Sequence, residues 1–251
     1  MATHLTQPPR SSRLTPVHRH SRLENVSRAL AVLIALLLAG IVVLVLADRS
    51  SNTLSGQGGT GSGVPATQAR SLPPFTGVEI DGANNVVLRV GTPQSVIVHA
   101  DSNLLGRVTT QVSSGSLVIG NTPGTLKARS PMSVVVSVPS LDALAVQGSG
   151  NITVTGIKSP SLTVRIPGSG TIDAAGTTAR LDVAIDGSGT ALLSGLVARD
   201  ATASIDGSGS IVLTATRSLD ASIPGSGTIV YAGNPAQVTK SVPGSGTIRG
   251  E

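Results

Sequence analysis

The stretch LDVAIDGSGTALL at residues 181–193 is answered one repeat later by ATASIDGSGSIVL at 201–213. Its centre, Gly-Ser-Gly, stands at 148–150, 168–170, 187–189, 207–209, 225–227 and 244–246, at intervals of 20, 19, 20, 18 and 19 residues. Self-similarity at one such period marks a repeat architecture. Two residues before the triplets stand Val146, Ile166, Ile185, Ile205, Ile223 and Val242, and two after them Ile152, Ile172, Ala191, Ile211, Ile229 and Ile248. Further out, Leu144, Val164, Val183, Ala203 and Ala221 form one matching column, and Val154, Ala174, Leu193, Leu213 and Tyr231 another. Each column alternates with polar positions, so a repeat holds a strand, a bend and a second strand. The glycines suit a bend that needs positive φ or close backbone contact.

One repeat cannot bury its apolar face alone. Stacking equal coils at about 4.8 Å sets like residues above like and closes a continuous aliphatic core. The fold expected is all-β, a right-handed parallel β-helix of about 19 residues per coil. Intervals of 18 to 20 do not keep the sixfold spacing of a left-handed hexapeptide helix. The alternative is a sandwich or barrel whose turns repeat by coincidence. Upstream, Val86 to Val90, Val96 to His99, Arg107 to Val112, Leu117 to Ile119 and Val134 to Val138 also read as strands, bounded by turns such as Ser114-Gly115.

Composition agrees. The chain of 251 residues has 30 glycines, 15 prolines, no cysteine, no tryptophan, one tyrosine and one phenylalanine, so the core must be aliphatic. The absence of cysteine excludes disulfides, thiolate metal sites and a cysteine nucleophile. The net charge of +5 is concentrated in residues 1–28, which hold five arginines against Glu24; the rest has 13 basic and 12 acidic groups. A nearly neutral domain with two aromatic residues lacks what nucleic acid requires, so no nucleic-acid partner is expected.

Residues 29–47 carry no charge and are almost wholly aliphatic. As a helix they would span about 28 Å, enough to cross a hydrocarbon core. The expected organisation is a basic cytoplasmic leader (1–28), a transmembrane helix (29–47), a Gly/Ser-rich tether (48–74) and a β-helix (75–251). The arginines hold the N-terminus in the cytoplasm, placing the β-helix outside the cell membrane. A secreted form, cleaved after Val45-Leu46-Ala47, is the alternative; the long leader and apolar stretch favour the anchor.

FTGVEIDG at 75–82, VVLRVG at 86–91, LDALAVQGSG at 141–150 and SIPGSGTIVYAGNP at 222–235 resemble the bacterial GIN domain, the head domain of the auto-transporter adhesin type. The resemblance covers about seventy per cent of the chain. It implies a right-handed β-helix and surface attachment, and brings no catalytic residues with it.

Chemistry is sparse. Asp186 and Asp206 should stack on consecutive coils, where like charges raise one pKa or invite a cation such as Ca²⁺. The favoured reading is two solvated carboxylates at an outward corner, or aspartates that support the turn. Asp182, Arg180, Arg199, Asp200, Arg217 and Asp220 read as paired or solvated face residues. The repeated serines have no histidine partner, since only His99 lies beyond the tether. Gly-Ser-Gly leads into no helix, so it is no phosphate cradle. An outward ladder of Asn151, Thr171, Thr190, Ser210, Thr228 and Thr247 offers a row of polar groups to a glycan or another subunit.

The reading is a membrane-anchored, extracytoplasmic, non-enzymatic binding or adhesin-like module without a cofactor, its partners the membrane and an envelope polysaccharide or surface protein. The rival is a carbohydrate-active β-helix enzyme using Asp186 and Asp206. Because the last repeat has no polar cap, self-association is also expected.

Overall fold

The computed structural model describes residues 59–251. Seventeen strands follow in order: β1 (Gly59–Thr60), β2 (Pro65–Arg70), β3 (Gly77–Ile80), β4 (Asn85–Val90), β5 (Ser95–Asp101), β6 (Val108–Ser113), β7 (Ser116–Asn121), β8 (Leu126–Lys127), β9 (Ser133–Val138), β10 (Ala143–Val146), β11 (Asn151–Ile166), β12 (Thr171–Ile185), β13 (Thr190–Ile205), β14 (Ser210–Ser222), β15 (Thr228–Ala232), β16 (Gln237–Ser241) and β17 (Thr247–Gly250). A single 3-10 turn, Leu105–Arg107, separates β5 from β6. The apolar stretch 29–47 and its leader lie outside the described residues. Among the described residues no helix is long and apolar enough to cross a membrane.

The architecture is an all-β solenoid of about five turns. From β10 onward every pairing between successive coils is parallel, which excludes the sandwich, whose sequential strands pair antiparallel. The columns read from the sequence are the register itself. Leu144, Val164, Val183, Ala203 and Ala221 are successive partners, as are Ile152, Ile172, Ala191, Ile211, Ile229 and Ile248. These side chains form one continuous core in which Ile166, Ile172, Ile185, Ile205 and Ile211 are wholly inaccessible. The large side chains stack on one another, and this burial is the main stabilising force.

The Gly-Ser-Gly bend is selected by close contact. None of its glycines has positive φ. A Cβ on Gly209 would lie 2.6 Å from the carbonyl oxygen of Gly189 and 2.6 Å from Cγ2 of Ile185, both on the coil below. Neighbouring bends are bonded backbone to backbone, Ser208 N to Gly187 O at 3.0 Å and Ser210 N to Gly189 O at 3.1 Å. Bare backbone at the corner is what lets the coils approach to β-sheet spacing.

The N-terminal end is built differently. β3 and β4 form a coil beneath β10 and β11, and β7 and β9 form another beneath that. Antiparallel strands then close the stack, β6 on β7 and β5 on β9. The β6–β7 hairpin turns at Ser114 (φ 50°) and Gly115 (φ 80°), the left-handed pair that a two-residue hairpin demands.

The tether expected over 48–74 is corrected in its second half. Residues 65–70 are β2, paired antiparallel with β5 along six residues from Pro65–Asp101 to Arg70–Val96. Composition hid this strand because an edge strand buried on one side needs backbone partners more than apolar side chains. Asp101 holds the approach to it. This fully buried carboxylate accepts from Gly63 N (2.9 Å) and Ser130 Oγ (2.8 Å) through one oxygen, and from Arg129 N (2.8 Å) and Ser130 N (3.2 Å) through the other. Those donors, the Arg129 N–H foremost, hold its pKa below the ordinary carboxylate value.

Candidate functional site

Two faces of the solenoid carry the polar side chains that sequence reading singled out. On the first, Asn85, which follows Gly82-Ala83-Asn84, and Asn151, Thr171, Thr190, Ser210, Thr228 and Thr247, each just after a Gly-Ser-Gly bend, are successive register partners. The expected ladder therefore exists and starts one coil earlier, where Asn151 Nδ2 donates to Asn85 Oδ1 at 2.9 Å. Its members are half-buried to exposed, at the outward positions of strands whose next residue faces the core. Beside it runs a second row that turns apolar toward the C-terminal coils, through exposed Leu192, half-buried Val212 and buried Val230.

Asp186 and Asp206 occupy the corner position just before the bend on consecutive coils, and both are exposed. Gln147, Pro167, Pro224 and Pro243 fill the same exposed position on the other coils. The position accepts proline and aspartate alike, as a solvated turn does. Asp206 accepts a hydrogen bond from Ser204 Oγ at 3.3 Å. Among the described residues no group of three or more His, Asp or Glu side chains is placed to hold a metal ion.

The charged residues gather on the face formed by the last third of each coil. Two outward columns cross it. One runs Ser161, Arg180, Asp200, Ser218 and Gln237; the other runs Thr163, Asp182, Thr202, Asp220 and Thr239. Between β13 and β14 the register slips: β14 carries Thr216 and Arg217 where β13 carries Arg199 alone. Such a bulge re-aims the side chains around it. Arg217 turns back and grips Asp200 with two guanidinium nitrogens, Arg199 Nε reaches the same carboxylate at 3.4 Å, and Ser218 Oγ donates to it at 2.6 Å. Hydrogen bonds from Arg217, then Ser218, hold the Asp200 carboxyl well below the usual range, and Asp200 in turn raises the Arg217 pKa. Arg165 pairs with Asp182 at 2.6 Å. These groups are paired, and Arg180 and Asp220 are exposed with no ion-pair partner among the described residues, both within the expectation of paired or solvated face residues. A groove of about 380 Å³ runs along this face. Sequence reading named its charges and missed their assembly, because bulge and groove depend on an 18-residue interval between triplets following one of 20.

Tyr231 stands in its inward column at the last complete coil, half-buried, with Lys240 Nζ 4.8 Å from the ring centroid. Lys240 is itself the register partner of Ala221, so a cation replaces the aliphatic residue of that column in the final coil. The contact is a cation–π pair, and Gly250 of β17 is the register partner of Tyr231.

Known proteins agree with this architecture. The solenoid is similar to the crystal structure of a putative adhesin from Bacteroides fragilis, at 20% identity and a TM-score of 0.65, over 76% of this chain and 99% of that one. A putative adhesin from Parabacteroides distasonis matches at 22% identity and a TM-score of 0.52, over 77% of this chain and all of its own. Both likenesses are of fold. No curated protein matches the chain. Residues 74–235 match the family described as "Putative auto-transporter adhesin, head GIN domain", and the chain belongs to that family.

Proposed function

We propose that this protein is a membrane-anchored, non-enzymatic binding module of the cell envelope, adhesin-like, with the solenoid on the extracytoplasmic side. The observation that carries the reading is the ladder Asn151, Thr171, Thr190, Ser210, Thr228 and Thr247, held in register along parallel coils. A rigid row of five hydroxyls headed by the Asn151 amide, at about 4.8 Å spacing, suits a repetitive partner such as an envelope polysaccharide. The family's adhesin description supports a surface role. Asp186 and Asp206, exposed at a position shared with proline, are solvated corner residues in this reading. The right-handed coiling and the anchor at 29–47 belong to the same proposal, the anchor resting on the length and flanking charge of that segment.

The test replaces the ladder hydroxyls together, Thr171→Val, Thr190→Val, Ser210→Ala and Thr228→Val, which keeps strand propensity and shape. Cells displaying the full chain should bind purified envelope polysaccharide, and cells displaying the variant at equal level should lose most of that binding. Undiminished binding by the variant would remove the ladder from the reading.

A further inference from the structure

We propose that the groove on the charged face is a binding site for an uncharged, hydroxyl-rich polymer, a neutral glycan chain. This deepens the envelope-binding reading and rests on it, but uses a different face from the hydroxyl ladder.

The groove sets polar and charged side chains around Leu181, Ala201 and Leu219, and both signs of charge are present: Arg180 with Asp182, Asp200 and Asp220. Going along the axis, Arg180 is followed by Asp200 in one column, and Asp182, Thr202 and Asp220 succeed one another in the next. With coils about 4.8 Å apart, no stretch longer than two coils presents one sign of charge alone. Arg165, Arg199 and Arg217 stand around Asp182 and Asp200 and neutralise them. A polyanion laid along the groove would meet the unpaired Asp220, and a polycation would meet the unpaired Arg180. A chain of hydroxyls meets no repulsion, because each hydroxyl donates to a carboxylate and accepts from a guanidinium or threonine.

The site is also built rather than incidental. The β13–β14 bulge orients Arg217 and Ser218 onto Asp200, whose side chain is only 17% exposed, so the floor is fixed before any ligand arrives. Arg180 and Asp220 lie on either side of that floor, exposed and without ion-pair partners among the described residues. Their hydrogen-bonding groups are the ones left for a ligand. No aromatic side chain lines the groove, so recognition must come from hydrogen bonds. Affinity per site is then modest, and binding strengthens with polymer length as more coils engage.

The experiment measures retardation of the full chain in mild detergent through native gels containing dextran, laminarin, polygalacturonate or chitosan, together with its co-sedimentation with whole-envelope polysaccharide. The expected result is retardation by at least one of the two neutral polymers, little changed between low salt and 0.5 M NaCl. Arg180→Gln with Asp220→Asn should weaken it about tenfold, the loss of roughly 1.4 kcal/mol that a few hydrogen bonds to charged groups supply. Asp186→Asn with Asp206→Asn should leave it unchanged. An unchanged thermal midpoint in both variants shows that the solenoid is intact. Retardation only by the charged polymers, or neutral-polymer binding indifferent to Arg180 and Asp220, would overturn the assignment. Envelope co-sedimentation without neutral-polymer retardation would refute the groove while sparing the envelope-binding reading; absence of both would refute both.

Discussion

Replacing Gly209 by alanine puts a methyl group where the fold has none to spare. Its Cβ would lie 2.6 Å from the Gly189 carbonyl oxygen, 2.6 Å from Ile185 Cγ2 and 3.2 Å from Ile185 Cδ1. Ordinary contact begins near 3.5 Å, so the overlap is about 0.9 Å on two sides at once. Ile185 is completely buried and can yield only into the packed core. The Gly189 oxygen accepts from Ser210 N at 3.1 Å, so moving it apart loosens an inter-coil hydrogen bond. Overpacking of this kind costs about 1–3 kcal/mol and a weakened hydrogen bond about 0.5–1.5 kcal/mol, together about 3 kcal/mol. With a urea dependence of about 2 kcal/mol/M, the unfolding midpoint should fall by about 1.5 M. Gly106→Ala is the control, because a Cβ there meets nothing within 4 Å; it should change stability by less than about 0.5 kcal/mol, a midpoint shift under about 0.25 M in either direction. Far-UV circular dichroism of the full chain in urea reads both. Equal midpoints for the two variants would refute close approach as the reason for the repeated glycines.

Ile172→Ala should lower stability by about 2–5 kcal/mol, read in the same urea titration, because Ile172 is inaccessible in the middle of the aliphatic stack. Asp101→Asn should free the segment before β2, seen as new protease cleavage near residues 61–64 and 129–130 in limited proteolysis, since the carboxylate accepts from both. Asp101 and Asp200 both have lowered pKa values in the fold. Their stabilising contribution is therefore complete above the unfolded carboxylate value of about 3.9 and is lost as pH falls through the lower folded values. The thermal midpoint should change little on their account from pH 7 to 5 and fall below about pH 4. The chain contains no cysteine, so single cysteines report sidedness cleanly. Ser188→Cys should react with an impermeant maleimide on intact cells, and Ser12→Cys only after permeabilisation; the reverse pattern would invert the proposed topology.

The repeat was legible because a solenoid writes its register into its sequence. Each coil must place a small backbone at the corner and aliphatic residues on either side, so Gly-Ser-Gly and its flanking isoleucines recur wherever one coil meets the next. The outward ladder followed from the same columns by alternation. Where contacts are not repeated the text gave no such guide. β2 is a polar edge strand whose partner, β5, is fixed by backbone pairing, and nothing in PATQAR distinguishes it from a linker. Asp101, a lone aspartate ending a strand, shows its role only when Gly63, Arg129 and Ser130 converge on it. The groove needed the bulge at Thr216 and Arg217, opposite Arg199, which two unequal intervals permit without saying which face it will occur on. Asp186 and Asp206 drew notice as the only repeated acidic pair beside the triplet, and the fold sets them on an exposed corner that proline fills elsewhere.

The most direct test of the binding reading is co-sedimentation of the full chain with cell-wall and capsular polysaccharide, with the supernatant assayed for newly released sugar ends. Retention with the polymer and no released ends, unaffected by Asp186→Asn with Asp206→Asn, is the predicted result. Release of sugar ends that this double substitution abolishes would contradict the account and make the solenoid a carbohydrate-active enzyme.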